Sequence, residues 1–269
     1  MIYRDTNIQA ARAAGNFNTR RDSSGGRGGG RRGGGGVPVF DPRTYGTLAW
    51  WLRGDDVTLN GADVSSWNDK SGNGRHWTQG TAARQPAFTA ATALNSRPGL
   101  TFTAANTEWL GGPNLVTVGL TAAESFVVMK RSADPAAAST SSGLYCAGAG
   151  VAGGVPFTDG IVYDAFGSTI RKTTADFTTS FATAVVYNAR SAAGEWTASV
   201  NGATSGGDFY TTATNTVGWS TTPAIGQELI GQNRFMDGVI CEWIVYAALL
   251  SVANRARVVA GLKSYYGIA

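Results

Sequence analysis

The chain has 269 residues, is 43% hydrophobic and only 15% charged, and contains 37 glycines and 8 tryptophans. That supplies a core and the turns that many short strands need, so it points to one large β domain or two small ones. No run approaches the roughly 18 apolar residues of a membrane-spanning helix, and two cysteines with one histidine are too few for a disulfide framework or a conventional zinc site.

The formal net charge of +4 is unevenly placed. Residues 1–42 hold seven arginines (Arg4, Arg12, Arg20, Arg21, Arg27, Arg31 and Arg32) against three aspartates, and the remainder is neutral. An anionic partner should meet this segment first. It has no apolar stretch of the secretory type, so no signal peptide is expected. Asp5 or Thr6 could cap a short helix that Gly15 stops, too short to hold in water alone. In residues 23–36, nine of fourteen positions are glycine, and nothing there can offset the ordering entropy through burial. Residues 1–37 are therefore read as a flexible attachment arm that takes shape only when another protein grips it, and residues 38–269 as the globular domain.

The stretch 48–77 organises that domain. Leu48-Ala49-Trp50-Trp51-Leu52 reads as an apolar strand, Gly54-Asp55-Asp56 as a break, Val64 to Trp67 as a restart, and Asn68 to Gly74 as a polar turn. Tryptophans flanking such a turn belong to the wall of an all-β core, and Trp50, Trp51, Trp67, Trp196 and Trp243 are assigned there. Further strands are expected at residues 100–102, 125–130, 143–146, 160–164, 181–187, 195–200, 224–227 and 238–246. Asn201-Gly202 is a hairpin signal. Strict alternation would turn Glu242 away from both Cys241 and Trp243. Ser251 should cap the one long helix, with Ala256, Val259 and Leu262 as its apolar stripe and Gly267 as its stop.

Three islands carry a resemblance. The first joins Trp50-Trp51-Leu52 and Gly54-Asp55-Asp56 to residues 67–74 and Gln85-Pro86. The second is Arg97-Pro98-Gly99-Leu100-Thr101-Phe102 with Glu108-Trp109-Leu110. The third is Ile225-Gly226, residues 237–246, Leu250-Ser251 and Tyr265-Tyr266-Gly267. Together they resemble the laminin-G-like, concanavalin A-like jelly roll of bacterial surface proteins and of phage tail and capsid accessory proteins, over residues 46–268. The resemblance implies an all-β antiparallel β-sandwich of two packed sheets, each with about six or seven strands, plus one C-terminal helix. Relatives mostly bind glycans or other proteins, and some carry Ca²⁺. Basic or glycine-rich arms on such domains resemble the attachment arms of virion proteins.

Asp55, Asp56, Asp69 and Asn73 could ligate Ca²⁺ through oxygen. Turn capping accounts for the same residues, no EF-hand spacing is present, and otherwise no cofactor is expected. A nucleophilic triad could use only His76, which reads as an exposed turn histidine. The glucanases that share the fold use Glu-x-Asp-x-Glu on one strand; Asp237 and Glu242 have the wrong spacing, so no enzyme is expected. Trp77, Trp109, Tyr210 and Trp219 stand in polar loop contexts and are candidates for glycan contact, although each could instead pack inside. The tether arginines resemble nucleic-acid-binding RGG segments. No aromatic interleaves them after Phe17, which favours arginine forks gripping carboxylates of a neighbouring protein.

These readings combine into a non-enzymatic virion structural protein of a tailed phage. Its arm would fix it in many copies to capsid or tail proteins of a symmetric assembly. Its jelly roll would be displayed for host adhesion through glycans, with no membrane contact. One alternative is a carbohydrate-binding module of a bacterial surface protein. Another is a β-sandwich with a nucleic-acid-contacting arm.

Overall fold

The computed structural model describes residues 40–135, 141–150, 154–157, 160–228 and 233–269. The arm, its seven arginines and the short helix expected there lie outside them. The described strands are β1 (Leu48–Asn60), β2 (Asp63–Asp69), β3 (Trp77–Thr78), β4 (Ala87–Thr89), β5 (Gly99–Phe102), β6 (Leu110–Gly111), β7 (Ala123–Arg131) and β8 (Tyr145–Gly148), followed by β9 (Ile161–Asp164), β10 (Lys172–Asp176), β11 (Val185–Ala192), β12 (Glu195–Val200), β13 (Phe209–Thr212), β14 (Trp219–Ile225) and β15 (Gly238–Tyr246). Helix α1 (Leu115–Val118) is a single turn and α2 (Val252–Tyr266) closes the chain.

β1 does not break at Gly54-Asp55-Asp56 but runs through it, because it changes partner there. Its buried beginning pairs β15 from Leu48 to Arg53, and its more exposed continuation pairs β2 as far as Asn60. Gly54 marks the crossing. A Cβ there would collide with the Pro98 carbonyl and lie 2.7 Å from Gly99 Cα.

The two separate sheets implied by the resemblance are one antiparallel sheet folded over. Its path is β13-β12-β11-β7-β15-β5-β4-β2-β3-β6-β14-β8, with β1 bridging β15 and β2, while β9 and β10 form a hairpin of their own. The links at the fold are narrow: β2 meets β4 through the one pair Asp63–Ala87, and β3 meets β6 through Thr78–Gly111. So few shared bonds allow a sharp bend, and the two halves enclose a common core that includes Trp50, Trp67, Trp77, Tyr187, Trp196 and Trp243. The result is a β-sandwich, within which β1, β15, β5, β4 and β2 pair in a closed ring of five strands.

β15 makes this closure. One edge carries β7 along its length; the other takes β5 at Gly238 to Ile240 and β1 from Glu242 onward. Cys241 is skipped in each register, as in a β-bulge. The bulge corrects the expected alternation. Cys241 and Glu242 both face away from the inter-sheet core, and Trp243 faces into it.

α2 covers that outer face. Ser251 caps it by accepting from Asn254 N–H at 3.2 Å, and Gly267 ends it at φ 65°. Val258, Val259, Leu262 and Tyr266 are its buried face, whereas Ala256 is exposed, because its position lies round the helix from Val258. Beneath α2, Glu242 accepts from Trp51 Nε1 at 2.5 Å and Tyr266 Oη at 2.8 Å. Trp51 therefore belongs to this second, helix-side core. Other boundaries shift locally: the strand expected at 181–187 is β11 (Val185–Ala192), and β14 ends at Ile225, just before Gly226, where φ is 87°. Asn201 and Gly202 form the turn expected of them, at φ 52° and 84°, but six further residues precede β13.

Gly54→Ala is expected to cost about 1–3 kcal/mol of stability, as an overpacked backbone crossing does, read from the urea midpoint. Burial pushes the Glu242 pKa up to about 7 from an ordinary 4.5, despite the hydrogen bonds from Tyr266 and Trp51 and the nearby Arg53 charge. The folded state holds this proton longer than the unfolded one, so stability falls as pH rises from about 4.5 to about 7. Glu242→Gln should exceed the parent by about 1–3 kcal/mol at alkaline pH. The gap should vanish in acid, as urea titrations across pH would show.

Candidate functional site

Asp176-Phe177-Thr178-Thr179-Ser180-Phe181 leaves β10 and passes under the turn that enters β9. In that turn Phe157 N–H donates to the Ile161 carbonyl at 2.8 Å, and Gly160 takes φ +80°, a conformation that suits glycine. Phe157 is thereby held half-buried beside a cavity of about 210 Å³. Phe157 is its aromatic wall, Phe177 and Phe181 border it from the core and are buried, and Thr178, Thr179 and Ser180 form a hydroxyl-bearing side. Asp208 fixes that side: its carboxylate accepts from Thr178 N–H at 2.7 Å, Thr179 N–H at 2.8 Å and Thr179 Oγ1 at 2.6 Å. Burial alone would raise the Asp208 pKa, but these donors hold it below its ordinary value. Asp134 fixes the next residue by accepting from Phe181 N–H at 2.9 Å.

Phe157 also packs on Tyr163 of β9, ring centroids 4.7 Å apart and tilted 56°. Each ring carries a guanidinium: Arg234 lies 4.8 Å from the Phe157 centroid and Arg171 lies 4.5 Å from that of Tyr163. The β9–β10 register pairs Tyr163 with Thr173, which brings Arg171 alongside. Arg234 arrives from a turn closed by the Gln227–Phe235 bridge, and its Nη1 donates to both Glu228 oxygens at 3.1 Å. Glu228 is 1% exposed; burial raises its pKa, and the hydrogen bond and charge of Arg234 pull it back. Arg171 is exposed and enters no salt bridge among the described residues.

The aromatics singled out from the sequence are elsewhere. Trp77 is fully buried, 5.8 Å from Trp50 and 4.7 Å from Trp243, because β3 begins on it and turns it inward. Trp219 is also core: its ring meets Phe166 edge-on at 5.3 Å and Nε1 donates to the Leu120 carbonyl. Both correct the expectation of loop aromatics. Trp109 and Tyr210 are half-buried, the first just before β6 and the second on β13 against Trp196, and neither lines the cavity.

The calcium candidates are engaged in the turn they occupy. Asp69 Oδ1 accepts from Trp51 N–H and Ser71 N–H, and Oδ2 from Ser71 Oγ and Arg75 N–H, all within 2.8–3.0 Å. Asn73 presents its nitrogen, not its oxygen, to the Leu48 and Ala49 carbonyls. Asp55 pairs with Arg53 and Lys70, and Asp56 with Lys70. Among the described residues no group of three or more His, Cys, Asp and Glu is arranged to hold a metal. His76 Nδ1 accepts from Asp69 N–H and so serves the same turn.

No family model matches the chain, and no curated protein matches it. Two solved structures give its architecture a context. The chain is similar to the receptor-binding domain of botulinum neurotoxin mosaic serotype C/D, with TM-score 0.55 and 11% identity over 80% of this chain and 51% of that one. It is similar to a mutant Trypanosoma rangeli sialidase displaying trans-sialidase activity, with TM-score 0.52 and 14% identity over 81% of this chain and 33% of that one. The likeness is one of fold. The chain spans about half of the first structure and a third of the second.

Arg234→Ala would leave the Glu228 carboxylate buried without its counter-charge and should cost about 2 kcal/mol near neutral pH. The loss should shrink in acid, where Glu228 is protonated, as urea unfolding at several pH values would show.

Proposed function

We propose that residues 40–269 form a carbohydrate-binding module and that the Phe157 cavity seats a sugar ring. The observation that carries this is the cavity itself: a half-buried Phe157 ring facing Thr178, Thr179 and Ser180, the first two held by Asp208. A pyranose has the matching character, with apolar C–H faces and a hydroxyl rim. At about 210 Å³ the space is below the roughly 300–1,000 Å³ of drug-sized sites, on the scale of one sugar unit at the end of a chain. The fold is shared with a sialidase and with a toxin's receptor-binding domain, which agrees with this role.

The module binds and does not turn over its ligand. Glu242 is enclosed beneath α2, and Asp237, just before β15, accepts from Ala104 N–H, so neither carboxylate lines the cavity. A second reading rests on the arginine and glycine content of residues 1–37: the arm anchors the module to a phage capsid or tail, and the module is the displayed part. A chain lacking residues 1–37 would then keep the module's ligand binding and fail to join the particle.

The full chain should bind saccharides on a glycan array. Phe157→Ala should weaken binding at least about tenfold, by loss of the stacking wall, with the unfolding midpoint little changed. Trp109→Ala should bind as the parent does. An array with no binding, or equal binding by Phe157→Ala, overturns the proposal.

A further inference from the structure

Two cations lie just beyond the Phe157 wall of the cavity, Arg234 over Phe157 and Arg171 over the adjoining Tyr163, and this bears on which sugars it takes. Resting on the carbohydrate reading, we infer that the ligand is an acidic saccharide, whose anionic group sits on Arg171 while its ring lies against Phe157. Arg234 is already committed: both Glu228 oxygens hold its Nη1, and it serves as a fixed cap over Phe157. Arg171 is not. It is exposed, enters no salt bridge among the described residues, and has its guanidinium carbon 4.5 Å from the Tyr163 ring centroid.

Stacking fixes the plane of a guanidinium and leaves its N–H edge pointing outward, the edge that matches a carboxylate or sulfate with two parallel hydrogen bonds. The Phe157–Tyr163 contact places the Arg171 guanidinium one ring away from the cavity wall. A saccharide spanning the two would meet apolar wall, hydroxyl side and cation in succession. Of the acids nearby, Glu228 is answered first by Arg234 and also feels the Arg171 charge, and Asp164 is enclosed with the Tyr145 and Tyr187 hydroxyls. At the cavity Asp134 and Asp208 are engaged by backbone donors, and Asp176 stands beside Gly160, so the anionic group must keep to the Arg171 side.

The test titrates the full chain with sialyllactose and tri-galacturonate as carboxylate probes, a sulfated heparin oligosaccharide as the sulfate probe, and lactose as the neutral one. Acidic probes should bind at least about tenfold more tightly than lactose, a preference that salt reduces. Arg171→Gln, on an exposed side chain, should remove that preference and leave lactose binding and the unfolding midpoint unchanged. The carboxylate and sulfate arms separate the two anions. Equal binding of lactose and the acidic probes overturns the inference while leaving the carbohydrate reading intact, and no binding of any probe overturns both. Acidic binding that persists in Arg171→Gln also overturns the inference, by assigning the charge preference to the arginines of residues 1–37.

Discussion

At Cys241, β15 takes in one residue more than the strands on either side of it, and both cores depend on that insertion. A strand in strict alternation could not send Ile240 and Trp243 to one face and Cys241 and Glu242 to the other. The same step moves the edge partner from β5 to β1. Two chain segments then converge on one point, and only small residues fit. At Gly99 a Cβ would lie 2.8 Å from Cys241 Sγ, and at Gly54 it would strike the Pro98 carbonyl. On the inner face, Trp243 gathers Trp50, Trp77 and Tyr145 at centroid distances of 4.7–5.5 Å. Each such contact adds about 0.5–1.5 kcal/mol beyond burial.

The polar turn after β2 does for the start of β1 what a neighbouring strand would otherwise do. β1 has a bulge between Leu48 and Trp50. The Ala49 carbonyl accepts from Asn73 Nδ2 at 3.1 Å and Arg75 Nη1 at 2.6 Å, while Asp69 takes Trp51 N–H. Backbone groups that leave a ladder need partners, and this turn supplies them from side chains. Its acids and amides are therefore engaged within the fold, and the site proposed for a ligand lies elsewhere, beside β9 and β10.

Much of the fold was legible because it follows from local pattern. β12 and β15 have the bounds read from their apolar runs, and Ser251 and Gly267 delimit α2 through their own side-chain and backbone chemistry. What could not be read depends on partners distant in sequence. Glu242 owes its direction to a bulge that two edges define. Trp77 has polar neighbours in sequence yet packs in space against the rings of Trp50 and Trp243. The cavity was missed for the same reason, since Asp134, Phe157 and residues 177–181 come from separate segments that share no period. One local trace existed: two phenylalanines bracketing Thr178-Thr179-Ser180, beside an aspartate, is a pattern with neither helical nor strand periodicity.

Ring closure among β1, β15, β5, β4 and β2 also bears on how such a module behaves when crowded. A strand with neighbours on both sides offers no free backbone donors to a stray strand from another copy. Along the path of the main sheet the open ends are β13 and β8, each four residues long. Templates that short, one of them rich in threonine, give little purchase for edge-to-edge polymerisation.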